Sequence, residues 1–215
     1  MIHPATGQTT ETPSKATEIP HPAMYGAAAK DDETAKRWSF SASLNAYLVP
    51  DDNDYVQPTI SADREWLHLE ARYNYEEIGT GSVWVGYNMT AGDKVSLEFT
   101  PMVGGVFGRE NGFAPGYKLL LAYGRLDLYS EGEYVFNTDD SSDSFFYTWS
   151  ELAFSPTDWL RAGLVAQRTR AYETNLDIQR GLLLGVSYNR LNFTTYLFNW
   201  GWDDPLIVLS MGVSL

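Results

Sequence analysis

The 215-residue chain contains no cysteine and only three histidines. Disulfide frameworks and thiolate metal sites are therefore excluded, and the absence of thiols suits an oxidising compartment. No apolar run approaches the roughly 18 to 20 residues of a membrane-spanning helix, so a helical membrane protein is excluded too. Basic charge is scarce: 15 Lys and Arg stand against 28 Asp and Glu, a net charge of −13. A general nucleic-acid binder needs a basic footprint, so no nucleic-acid partner is expected. Metal-ligand spacings, phosphate-cradling glycine loops and nucleotide fingerprints are all missing; neither a metal nor a cofactor is expected.

Residues 1–36 also lack something, namely the apolar core of a secretory signal. They are rich in Thr, Pro, Ala, Glu and Lys and bury too little apolar surface to fold alone. They read as a flexible extension that orders on a protein partner; an export signal, if used, was removed or lay upstream of Met1. The division expected is an extension over 1–36 and one folded unit over 37–215.

What the rest of the chain has is alternation. In EWLHLEARYNYEE (65–77), Leu67, Leu69, Ala71, Tyr73 and Tyr75 form one series, and Trp66, His68, Glu70, Arg72, Asn74 and Glu76 the other. A period of two marks a β-strand whose faces meet different surroundings. The pattern recurs in SFSASLNAYL (39–48), GSVWVGYNM (81–89), KVSLEFTPMV (94–103), RLDLYSEGEYVF (125–136), WLRAGLVAQ (159–167), IQRGLLLGVSY (178–188) and LIVLSMGVSL (206–215). Tight turns are expected at Asp63-Arg64, 91–93, Gly124-Arg125, 155–158 and Asn189-Arg190. They alternate with longer polar loops at 49–54, 76–81, 108–116, 137–144, 171–175 and 202–204. About twelve strands in this order predict an all-β, up-and-down antiparallel barrel. YVQPTISA is the least regular strand, because Pro58 belongs at an edge or strand end.

A soluble sandwich or lipocalin-like barrel would bury the apolar series. Three features predict the inverse, a transmembrane barrel. The polar series is bulky and charged, while the apolar series runs about five deep, matching an outward apolar band about 25 Å tall. Aromatics flank the turns (Tyr123, Phe154, Trp159, Tyr188, Phe193) and the opposite rim (Tyr47, Tyr75, Phe136, Phe145, Trp200, Trp202), as two bilayer interfaces select. Both ends of an even-stranded meander fall on the short-turn side.

On DREWLHLEARYNYE, GSVWVGYN, LEFTPMVGGVFG, LYSEGEYVF and DWLRAGLVAQRTR, residues 38–215 resemble bacterial outer-membrane β-barrels of porin type. That resemblance implies the outer membrane of a Gram-negative-type bacterium and a lipid bilayer as partner. Such barrels usually close on an aromatic with glycine five residues earlier; here Leu215 and Ser210 stand in those places, while Val213 fits.

With the apolar face outside, the residues expected to line the lumen are His68, Glu70, Arg72, Glu98, Lys118, Asp127, Glu131, Glu133, Glu151 and Arg161. Arg72 and Arg161 read first as partners of nearby acids, since isolated buried charge is costly, and second as groups tuning a solute path. No enzyme is expected. Outer-membrane phospholipases of twelve strands carry Ser, His and Asn on the outer face; His68 falls in the inward series and has no His-x-Ser beside it. Glu131 and Glu133 share a face like an acid–base pair, but adjacent acids need only water or an Arg. Asn88-Met-Thr and Asn192-Phe-Thr match glycosylation acceptors but fall in expected strands. The function expected is a small channel for ions or small hydrophilic solutes, mildly cation-preferring. The rival is a non-conducting structural barrel or anchor whose extension binds a partner.

Overall fold

The computed structural model describes residues 37–50, 53–168, 178–201 and 205–215. The extension assigned to 1–36 lies outside them, as do the 171–175 loop and Trp202 with its loop at 202–204. The strands are β1 (Ser39–Leu48), β2 (Tyr55–Arg64), β3 (Leu67–Tyr73), β4 (Thr80–Tyr87), β5 (Met89–Ala91), β6 (Val95–Gly108) and β7 (Gly112–Tyr123). They continue with β8 (Leu126–Asn137), β9 (Phe145–Thr157), β10 (Leu160–Arg168), β11 (Gln179–Tyr188), β12 (Leu191–Phe198) and β13 (Leu206–Ser214). Neighbours in sequence order pair antiparallel except β4 and β5, β1 pairs with β13, and β4 pairs with β6. Short β5 also pairs with β6, so β4 and β5 are one stave broken at Asn88. The result is a closed barrel of twelve staves, with no free edge to manage.

The wall is inside out relative to a soluble protein. Leu69, Val85, Leu128, Leu164, Leu182, Leu209 and Met211 are exposed, whereas Glu70, Arg72, Asp127, Glu131, Glu133, Glu151 and Arg161 are buried. Register joins the outward leucines into a belt: Leu97 opposes Leu121, Leu121 opposes Leu128, Leu128 opposes Leu152, and Leu152 opposes Leu164. It continues through Leu182, Leu197, Ile207 and Leu48. A contiguous apolar belt of this extent is not stable in water and belongs in hydrocarbon.

At the short-turn end the aromatic girdle is present: Tyr123, Phe154, Trp159, Tyr188 and Phe193 all point outward, Tyr188 being 72% exposed. Trp66 joins it by stacking on Tyr87, ring centroids 5.5 Å apart. That is a correction to the alternation over 65–77, which assigned Trp66 to the polar series. Strand β3 starts only at Leu67, and Glu65 has φ 51, so the turn at 65–66 resets the parity.

At the opposite end the expectation holds for Phe136 and Trp200, which are exposed, and fails for Tyr47, Tyr75 and Phe145, which are buried inside the barrel. Tyr75 changes sides because Asn74 takes φ 58, a left-handed conformation Asn tolerates. The Asn74 N–H donates to Thr80 O at 2.8 Å and its Oδ1 accepts from Gly79 N at 2.8 Å. That tight connection folds Tyr75 and Glu76 over the lumen. Tyr47 follows the inward parity of Ser43 and Asn45, and Phe145 that of Tyr147.

Pro58 sits within β2, at a place that removes the conflict. The β2–β3 ladder stops at Thr59 opposite Arg72, one residue after the proline. Beyond it side chains replace backbone pairing: Gln57 Nε2 donates to Asn74 O at 2.9 Å, and Asn74 Nδ2 to Val56 O at 2.9 Å.

Candidate functional site

The interior is organised by glycines that make room for a ring. Trp84 pairs across β4–β6 with Gly104, where an added Cβ would lie 2.4 Å from the indole. Gly116 on β7 leaves similar room at the far edge of that ring. Trp84 therefore lies flat against the wall and offers its face to the lumen. Arg72 occupies that face, its guanidinium 4.7 Å from the Trp84 ring centre and 4.2 Å from that of Tyr75. The ring quadrupoles favour a cation in this slot.

From there Arg72 reaches across the lumen. Its Nη1 donates to Glu133 Oε2 at 2.8 Å, from β3 to β8, while Nε bonds Glu70 on its own strand. Lys118, from β7, closes on the other oxygen of Glu70. Glu131, two residues from Glu133, accepts from the Tyr129 hydroxyl at 2.6 Å and from the Tyr75 hydroxyl. A transverse bar of charge thus links walls that are not neighbours. Glu76, in the connection beyond β3, is 0% exposed and accepts from the Ser82 hydroxyl at 2.5 Å. Burial raises its carboxyl above the ordinary value, against the opposing pull of Arg72 and Ser82.

A second cluster is built from β8, β9 and β10. Arg161 on β10 donates from Nε to Asp127 at 3.2 Å and from Nη1 to Glu151 at 2.5 Å. Glu151 also accepts from Trp149 Nε1 and the Tyr196 hydroxyl, each at 2.8 Å. Gly185 stands opposite Arg161 and leaves its stem unobstructed.

Nearer the short-turn end, His68 Nδ1 and Asp63 Oδ1 are 2.7 Å apart, and Asn88 Nδ2 donates to the same oxygen at 2.8 Å. Thr100 Oγ1 donates to Asn88 Oδ1 at 2.7 Å. Among the described residues no hydroxyl is bonded to His68; its Nε2 faces Glu70 at 3.4 Å.

At the loop end the lumen is filled by rings and amides. Tyr47 stacks on Tyr55 at 4.5 Å, Tyr75 packs on Tyr147 at 4.8 Å, and Trp149 meets Tyr196 edge-on at 4.9 Å. Phe198 behind them is wholly buried. Gln167 Nε2 donates to Gln179 Oε1 at 2.6 Å, bridging β10 and β11. A cavity at mid-lumen, lined by Asn45, Glu70, Arg72, Lys118 and Glu131 among others, measures about 20 Å3, room for about one water.

Of the ten residues expected to line the lumen, His68, Glu70, Arg72, Asp127, Glu131, Glu133, Glu151 and Arg161 are buried in the interior. Lys118 is half-buried with its ammonium on Glu70. Glu98 stands apart, half-buried near the start of β6 opposite Leu120 and Thr90. Arg72 draws Glu70, Lys118 and Glu133 together, and Arg161 draws Asp127 and Glu151. Sequence reasoning missed the aromatic half of the interior: Tyr47, Tyr75, Trp84, Tyr147, Trp149 and Tyr196. The signal available was parity, since Tyr47 shares a face with Asn45, and Trp84 alternates with outward Val83 and Val85. Among the described residues no three His, Asp or Glu side chains are grouped to hold a metal ion.

A closed twelve-stave barrel with charge inside and leucine outside has the architecture of porins. No protein-family profile matches the chain, and no curated protein matches it. Among solved structures it is similar to a KdgM porin, with TM-score 0.59 and 11% identity over 81% of this chain and 99% of that one. It is also similar to a KdgM porin in complex with disordered oligogalacturonate, with TM-score 0.58 and the same identity and coverage. At that identity the likeness is one of fold.

Proposed function

We propose that the chain is an outer-membrane channel of low conductance, passing ions and small hydrophilic solutes by diffusion. One observation carries the reading: the wall places leucine outside and ionised side chains inside, an arrangement useful only where lipid surrounds the barrel and water or solute enters it. The porin fold of its structural neighbours supports the same reading, as well as an outer-membrane location and a channel in preference to an enzyme. The rings and ion pairs that cross the lumen restrict passage to species that displace or thread between side chains, so conductance should be small and intermittent.

The interior residues His68, Glu70, Arg72, Glu98, Lys118, Asp127, Glu131, Glu133, Glu151 and Arg161 are proposed to line the path. Acids outnumber bases among them, and fixed carboxylates in a narrow, low-dielectric passage raise the local cation concentration. A mild cation preference is proposed on that ground. The same surplus would repel an acidic oligosaccharide such as the oligogalacturonate held by one structural neighbour.

Single-channel recording in a planar bilayer tests the proposal. Discrete small steps are expected, with a reversal potential shifted toward the cation in a salt gradient. Neutralising Glu98 and Glu131 together should reduce that shift, most clearly at low ionic strength. Absence of steps from correctly inserted protein would reject the channel in favour of a closed barrel, with the packed loop-end rings as its reason.

A further inference from the structure

We infer that the buried carboxyls of Glu76 and Glu133 hold one proton between them at neutral pH, and that this proton latches the Arg72 bar across the lumen. The proton site stands whether or not the barrel conducts; its effect on passage rests on the channel reading.

The first observation is a count of buried charge. Around Arg72 and Lys118 stand four carboxyls, Glu70, Glu76, Glu131 and Glu133, each 6% exposed or less. Glu70 is paired with both cations and Glu133 with Arg72, while Lys118 stands opposite Glu131 across β7–β8. Glu76 has no ion-pair partner among the described residues. The other charged groups at this corner are Glu77 on the same connection, Glu110, whose N–H donates to Thr80 Oγ1, and Arg109, which is exposed. Four carboxyls against two cations resist full ionisation where water is excluded. One proton halves the surplus, and the hydroxyls of Tyr75 and Tyr129 stabilise the charge that stays on Glu131.

The second observation locates the proton. Glu76 Oε2 and Glu133 Oε1 are both buried without a hydrogen-bond partner. Their sister oxygens are occupied: Glu76 Oε1 accepts from Ser82 Oγ, and Glu133 Oε2 from Arg72 Nη1. A carboxylate oxygen cut off from water and left without a donor is costly. A proton there removes the charge and turns an orphaned acceptor into a donor. The charge of Glu76 reaches Glu133, so ionising one opposes ionising the other. Burial raises the Glu76 carboxyl against the pull of Arg72 and Ser82, which is the direction the site requires. With the proton in place, Glu70 and Glu133 share Arg72 between them. When it leaves, Glu76 becomes a further anion near the guanidinium and competes with Glu133 for it. The latched form binds more protons than the released form, so raising the pH favours release.

Infrared difference spectroscopy of the full chain in lipid vesicles, titrated upward from neutral pH, tests the site. Loss of a carboxylic C=O band equivalent to one carboxyl per chain is expected. Glu76→Gln should remove that titrating band, because Glu133 then answers to Arg72 without a competing acid beside it. Trp84 reports independently: its Nε1 donates to Ser82 Oγ at 2.9 Å, and Ser82 donates to Glu76. Its indole N–H resonance, assigned by its loss in Trp84→Phe, should shift with the same midpoint and stay fixed in Glu76→Gln. Heat-resistant electrophoretic mobility reports whether each variant folds. If Glu76→Gln does not fold, Ser82→Ala decides: losing a donor to the ionised Glu76 should move the midpoint to higher pH, and an unmoved midpoint overturns the site. The inference is also overturned if folded wild-type protein shows no such band, or if the band survives Glu76→Gln unchanged. In planar bilayers, openings should become more frequent as pH rises through the midpoint; equal open probability on both sides of it would overturn the latch. A titrating band without conductance at any pH would support the proton site and reject the channel. Conductance without the band would do the reverse.

Discussion

Arg72 is the interior residue whose removal has the most calculable consequence. Its guanidinium is buried between Tyr75 and Trp84 and compensates Glu133 directly, with Nη1 to Oε2 at 2.8 Å. Arg72→Met keeps most of the stem volume and removes only the charge and its bonds. Glu70 then retains Lys118, but Glu133 loses its one ion-pair partner among the described residues. Stranding one member of a buried pair costs about 3–5 kcal/mol. The lost contact with two ring faces adds about 0.5–2 kcal/mol. The double variant Arg72→Met/Glu133→Gln removes the stranded carboxylate, so it should be more stable than Arg72→Met alone by about 2–3 kcal/mol. Equilibrium urea unfolding in lipid vesicles, followed by tryptophan fluorescence and closed as a double-mutant cycle, measures both numbers. If Arg72→Met costs under about 1 kcal/mol, or the two substitutions add without coupling, the transverse ion pair does not carry the compensation assigned to it.

Leu128→Arg and Leu209→Arg place charge in the outward belt and should each cost about 2–4 kcal/mol in vesicles; spin labels at Leu69, Leu128 and Leu209 should report hydrocarbon, not water. Gly104→Ala would set a Cβ 2.4 Å from the Trp84 ring and should destabilise by about 1–3 kcal/mol, seen as a lowered urea midpoint with a shifted tryptophan spectrum. Protease treatment should remove residues 1–36 without loss of the heat-resistant barrel band, because the closed ring of staves begins at Ser39; co-loss of the band would mean that the extension supports the wall.

The wall was legible because alternation is a local property. Asp127 and Leu128 differ by one residue and by one face, and nothing beyond the strand is needed to see it. Parity fails where a single residue leaves the β region. Asn74 carries φ 58, and its side-chain bonds to Gly79 and Val56 hold it there, yet in sequence it is an asparagine like Asn88 or Asn192. Tyr75 and Trp66 changed sides for that kind of reason. Tyr47 and Phe145 misled differently: an aromatic beside a loop suits an interfacial girdle and an interior plug equally well, and only parity separates the two. The interior partners were the least legible. Arg72 and Glu133 are 61 residues apart, and their meeting depends on strand stagger around a closed ring, which no single strand encodes.

The two halves of the interior would set different conditions for passage through the proposed channel. Toward the loop end, Tyr47, Tyr75, Tyr147 and Trp149 are buried rings, and four hydroxyl or indole groups of this region donate to only two carboxylates, Glu131 and Glu151. Moving Tyr75 or Trp149 aside therefore removes a donor from a carboxylate as well as breaking a ring contact. Toward the turn end, the charged groups are joined by ion pairs between side chains on rigid strands, so rotamer changes alone can rearrange them. Because the barrel has no edge, the backbone cannot yield without breaking a ladder of hydrogen bonds. On the proposed conducting reading, opening would be a side-chain event, with the Arg72 bar as the step both halves share: it touches Tyr75 on one side and Glu70, the partner of Lys118 and neighbour of His68, on the other.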